Sequence, residues 1–246
     1  MNTRGYLADN EFNMTHGKEL KQEAKDMGAD LVGVADLDRL RDYETIPSDL
    51  LRGFTRGISV GVKLTDPVID DLPDSRPLYA HQYKEVNDFL DRISFNLSRS
   101  IEQKDGKAQP LPASKIVTEG HWRSFISHKA VARAAGLGWI GKSLLLINPE
   151  YGPRVRWATV LTDLDLEPDR SVENKCGACT ECIDACIVDA FDDSGFEDYP
   201  DDRSSCFDVD SCANKLEDFA RNPDIGQMVC GICIKACPWG ADKNSL

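Results

Sequence analysis

The chain has 246 residues, 41% of them apolar, and a formal net charge of −13. That is enough apolar material for an ordinary core, with no run of about 18 apolar residues to span a membrane. The acidic balance argues against indiscriminate nucleic-acid binding, and the polar opening lacks the basic start and apolar block of a secretion signal, so a cytoplasmic setting is expected.

In chain order, Lys18 to Met27 is rich in helix formers, and Gly28 suits a left-handed stop after it. Leu31 to Ala35 and Ile58 to Leu64 read as strands. The Pro- and Asp-rich run "TDPVIDDLPDSRP" reads as a loop. From Tyr79 to Glu102, apolar residues Tyr83, Val86, Leu90, Ile93, Leu97 and Ile101 recur at steps of three and four, the pattern of one helix face. A second helix is predicted over Ser127 to Ala135, ending at Gly136; Ser143 to Asn148 and Val155 to Thr162 read as strands. Interleaved helices and strands predict an α/β or α+β sandwich layered on a sheet for residues 1–165. The polar stretch Asp165 to Lys175 marks the boundary with a second domain, residues 166–246. That second part carries net −11 and the first only −2, while the window 115–156 is net +5 and leaves room for one local anion site.

The second domain holds all nine cysteines. In a reducing compartment, clustered cysteines more often hold metal or do redox work than form disulfides. "CGACTECIDAC", Cys176 to Cys186, has the spacing C-x2-C-x2-C-x3-C. Three cysteines on a tight loop can wrap one iron–sulfur cube, and the fourth reaches a second cube. A second run, "CGICIKACPW", supplies Cys230, Cys233 and Cys237. Two [4Fe–4S] clusters need eight thiolates and the runs supply seven, so Cys206 or Cys212 completes the set. We take Cys206, with Cys212 surplus. One cube then takes Cys176, Cys179, Cys182 and Cys237; the other takes Cys186, Cys206, Cys230 and Cys233. Zinc sites pair two C-x2-C hooks, and three evenly spaced cysteines over-supply one hook.

In the first domain the informative block is "AGLGWIGKSLLLI". Gly136, Gly138 and Gly141 sit on a tight connection and permit close backbone approach. Lys142, Arg154 and Arg156 add positive charge. A dinucleotide fingerprint is rejected, because no clear strand precedes the glycines.

This block, followed by "CGACTECIDAC", a lone cysteine and "CGICIKACPW", resembles the epoxyqueuosine reductase family and its relatives, the reductive dehalogenases. The "DxRxxC" context of Cys206 resembles the family's lone cysteine. The resemblance implies a flavin-reductase-like α/β sandwich followed by a bacterial-ferredoxin-like double-cluster domain, with a base-off cobalamin between them. It implies an iron–sulfur, cobalamin-dependent reductase fed by a low-potential electron donor and acting on a small molecule or nucleoside. The expected cofactor-binding residues are Gly136, Gly138, Trp139, Gly141, Lys142 and Arg154. Where the family has an Asp thought to supply a proton, this chain has Trp122, and Glu119, His121 and His128 are the nearby candidates. The chain stops at Leu246 without an extension to grip tRNA, so tRNA is expected to be the less favoured substrate. The other reading is a ferredoxin-type electron-transfer protein that docks a partner and binds no corrinoid.

Overall fold

The computed structural model describes residues 16–117, 123–192 and 203–241. Helix α1, over 16–26, ends where Gly28 takes a left-handed φ of 102°. Strand β1 (Leu31–Asp36) pairs antiparallel with β2 (Arg56–Lys63), with Val32 opposite Val60 and Val34 opposite Ile58. Those four side chains are buried, which makes the pairing register costly to shift. Strand β6 (Val155–Thr162) lies beside β2 and pairs antiparallel with β3 (Ala108–Leu111), giving the order β1-β2-β6-β3.

Strand β3 was not foreseen. It is short and contains Pro110, which lacks an N–H for a ladder and is tolerated because the strand lies at the sheet edge. Residues 65–77, expected as a loop, instead hold helix α2 (Asp66–Asp70) and the start of α3 (Arg76–Glu102). Pro67 sits in the first turn of α2, where its missing N–H has no partner to lose. The predicted face of α3 buries Leu90, Ile93, Leu97 and Ile101 completely or nearly so. Helix α4 (His128–Ala134) starts at its cap Ser127, whose side chain accepts from the Ala130 N–H. The strand expected over Ser143 to Asn148 shrinks to β5 (Leu146–Ile147), paired with β4 (Trp139–Ile140) in a separate two-stranded sheet. Leu144 breaks the longer strand by adopting a left-handed φ of 54°.

Contacts divide the chain into two units, neither continuous in sequence. The first is Met1–Val62, Asn87–Leu137 and Trp157–Ser171; the second is Lys63–Val86, Gly138–Arg156 and Val172–Leu246. The cut expected near residue 165 follows chain order, whereas these units interleave. The second unit has a physical reason to recruit earlier segments. Its own helices α5 (Glu181–Asp184), α6 (Val209–Arg221) and α7 (Ile232–Ala236) bury few apolar residues. Leu64, Ile69, Leu72, Tyr79 and Ala80 supply the core on which Val229 and Ile234 pack. Among the described residues, no helix is long and apolar enough to cross a membrane.

Candidate metal centre

All nine cysteines are described, and none is in a disulfide. Eight of them influence one another in two groups. Burial pushes the Cys182 thiol up to about 11, the neighbouring Cys176 and Cys179 thiols add to this, and the Lys142 ammonium opposes it. Burial likewise pushes Cys237 up to about 12, with further contributions from Cys182, Cys176 and Cys179. These four form one group.

Cys233 is raised first by burial and then by Cys230, Cys212, Cys182 and Cys186. Cys212 is raised to about 11 by burial, then by Cys230, Cys186 and the Asp208 carboxylate. Cys186, Cys212, Cys230 and Cys233 thus act on one another, with Cys182 also acting on Cys233.

Cys206, expected as the eighth ligand, lies between the 3-10 turn Arg203–Ser205 and α6. Its buried thiol donates to the Arg203 carbonyl at 3.7 Å. Its backbone carbonyl accepts from Asp192 N–H at 3.0 Å, beside an antiparallel bridge and ring stack of Phe191 with Phe207. That bridge holds Cys206 to the 190–192 segment. Cys212 instead rides one turn into α6, whose cap Asp208 accepts from Ser211 N–H. The Asp208-x-x-Ser211 cap opens a helix that carries Cys212, Leu216 and Phe219 on one face.

Thiols raised in this way are poor free nucleophiles, but a metal ligated by sulfur holds them as thiolates. Among the described residues, no three Cys, His, Asp or Glu side chains stand close enough to share one bare metal ion. A cube spreads its four thiolates over four irons, so that spacing does not weigh against it. The donor set, nine thiols within residues 176–237 and none in a disulfide, is enough for the eight that two [4Fe–4S] clusters need. Gly177 fits as well: its φ is 54°, and a Cβ there would meet no protein atom within 4 Å.

Three residues expected to bind a cofactor stand at the first group of thiols. Trp139 is fully buried, donates its indole N–H to Cys176 Sγ at 3.4 Å, and meets the Trp239 ring edge-on at 5.0 Å. A Cβ on Gly141 would come within 3.2 Å of Cys176 Sγ. Lys142 acts on Cys182, as described above. Asn174, unforeseen from the sequence, donates to the Ile140 carbonyl at 3.1 Å and accepts from Cys176 N–H at 2.9 Å. It thereby ties β4 to the first cysteine.

The other expected residues are engaged by the chain itself. A Cβ on Gly138 would run into the Ile147 carbonyl, and one on Gly136, in the first unit, into the Arg170 carbonyl. Arg154 is 1% exposed and pairs with Asp66 at 3.1 Å and Asp70 at 2.6 Å. His128 has both ring nitrogens committed: Nε2 donates to the Pro112 carbonyl at 3.0 Å, and in the neutral ring Nδ1 then accepts from the Thr159 hydroxyl at 2.8 Å. These two bonds brace the ring within the first unit. Glu119, His121 and Trp122 lie outside the described residues.

Comparisons with known proteins point to the same cysteine-bearing segment. The 4Fe-4S double cluster binding domain family matches residues 175–240. An epoxyqueuosine reductase from Leadbetterella byssophila is 29% identical over 251 residues, covering 92% of this chain and 80% of that protein. One from Gloeobacter violaceus is 37% identical over 205 residues, covering 82% and 60%. Among solved structures, an epoxyqueuosine reductase with an epoxyqueuosine-modified tyrosine tRNA stem loop matches with TM-score 0.62 and 22% identity, over 92% of this chain and 65% of that one. A reductive dehalogenase described as suggesting a mechanism for B12-dependent dehalogenation matches with TM-score 0.66 and 20% identity, over 91% and 31%. The chain thus spans less than two thirds of several of the relatives it matches.

Proposed function

We propose, from its similarity to epoxyqueuosine reductases and the 4Fe-4S double cluster binding domain matched over residues 175–240, that the chain is an iron–sulfur reductase of a nucleoside substrate. The single observation that carries this reading is the match of the 4Fe-4S double cluster binding domain to residues 175–240, the segment that holds all nine cysteines. Cys176, Cys179, Cys182 and Cys237 would hold one cluster. Cys186, Cys212, Cys230 and Cys233 would hold the other, with Cys212 in the place first assigned to Cys206. Such clusters pass one electron at a time, at potentials set by their surroundings. The sheet of the first unit is read as the flavin-reductase-like sandwich, and a corrinoid as the electron acceptor. The B12-dependent relative supports the corrinoid. The protein with the tRNA stem loop supports a nucleoside presented in tRNA, so the expectation that tRNA is the less favoured substrate is withdrawn.

A second reading keeps the clusters and drops the corrinoid: an electron-transfer protein that docks a partner. It is favoured by Arg154, whose buried charge is already matched by Asp66 and Asp70.

Anaerobic reconstitution tests both readings. We expect about eight irons per chain, retained in Cys206→Ala and reduced in Cys212→Ala. Full loading of Cys212→Ala with loss in Cys206→Ala would reverse the ligand choice. Added cobalamin should shift to a base-off spectrum; an unchanged spectrum on fully loaded protein selects the second reading.

A further inference from the structure

The indole of Trp139 makes a contact that neither reading of the function requires. It is fully buried, and its N–H donates to Cys176 Sγ at 3.4 Å. A buried indole N–H without an acceptor is costly, so this bond accounts for a tryptophan where a smaller apolar side chain would also fill space. Three features hold the geometry. Trp139 packs with Ile147 and Cys237 in a buried cluster that Cys176 and Trp239 also touch. The Trp239 ring meets it edge-on. Asn174 links the neighbouring Ile140 carbonyl to the Cys176 N–H.

We propose that Trp139 is a positioning residue that raises the reduction potential of the cluster held by Cys176, through its indole N–H···S hydrogen bond. The proposal rests on Cys176 being a cluster ligand. Reduction adds one electron, and part of that charge settles on the ligand sulfurs. A donor aimed at the sulfur stabilises the more negative, reduced state more than the oxidised one. Burial keeps water from competing for the sulfur and strengthens the effect. The Lys142 charge acts in the same direction on the same group of thiols. The second group has the Ala190 backbone N–H on Cys186 Sγ at 3.4 Å, but a carboxylate, Asp208, beside Cys212.

The test is a redox titration of fully loaded protein, followed by the paramagnetic signals of the reduced clusters. In Trp139→Phe, one cluster should become harder to reduce while the other does not move. At a fixed potential its reduced-to-oxidised ratio should fall about three- to tenfold, as expected for one net hydrogen bond. Trp239→Phe, which keeps the Trp139 N–H, should leave both midpoints in place. Full iron content with unmoved midpoints in Trp139→Phe, or an equal shift of both, overturns the proposal. If Trp139→Phe does not fold, Trp239→Phe protein carrying nitrogen-15 indole replaces it. Pulsed resonance should then show one indole nitrogen coupled to a reduced cluster, and no coupling overturns the proposal. Wild-type protein that takes up far fewer than eight irons would sink the cluster reading itself and the proposal with it, which separates the two failures.

Discussion

Arg154 shows how one residue's environment differs from what its sequence context suggests. In the sequence it is a basic side chain near two others, available to an anion. In the structure it is buried, paired to Asp66 and Asp70, and its Nε has no recorded partner. Burial pushes the Asp66 carboxyl up, but hydrogen bonds and charge from Lys63 and Arg154 outweigh this and leave it below its ordinary 3.8. Its contribution is therefore complete above that ordinary value and is lost as pH falls through the lowered one. Removing the two partners should cost more than removing the arginine, because the partners are partly exposed and the cation is not. Asp66→Asn with Asp70→Asn strands a buried charge and should destabilise by about 3–5 kcal/mol. Arg154→Met leaves carboxylates that water can reach and should cost clearly less. Urea titrations of the three proteins at neutral pH check the order; equal losses would refute it. Spacing made the two cysteine runs legible at this scale. It could not choose between Cys206 and Cys212, because that depends on which backbone each one rides.

Among the elements, the tight connections decide more than the helices do. Gly152, between β5 and β6, has φ 57°, and a Cβ there would collide with the Trp239 carbonyl just past Cys237. Gly240, on the other side, would collide with Tyr151. The two backbones meet where only glycines allow it, and that meeting seats the segment bearing the last cysteine. Gly152→Ala is expected to lower stability well beyond the roughly 1–2 kcal/mol of left-handed strain alone. Gly53→Ala measures that strain by itself, since its φ is 83° and nothing lies within 4 Å. Thermal unfolding of the two loaded variants should separate them, and equal midpoints would mean the Trp239 contact gives way cheaply. Helices α1, α3 and α4 were legible because their apolar spacing and stop signals are local. Strand β3 and the shortened β5 were not, since edge pairing and the turn at Leu144 depend on neighbours distant in sequence.

For the molecule as a whole, cluster binding and folding should be linked in the second unit. Helices α5, α6 and α7 are short and bury little, so much of their order is expected to come from shared metal. Stripping iron with a chelator should speed amide exchange in 176–186 and 209–237, while β1 and β2 keep their protection. Uniform loss along the whole chain would show that the units unfold together. The net charge of −13 says less about partners than it first suggests, because charge on one face does not describe another. The sequence by itself determined the cluster chemistry and most of the regular elements, because both are written in short-range spacing. The tertiary structure alone decided the engagement of Arg154 and His128, and the indole at Cys176. Each of these is a contact between segments far apart in the chain, and such contacts exist only once the chain has closed on itself.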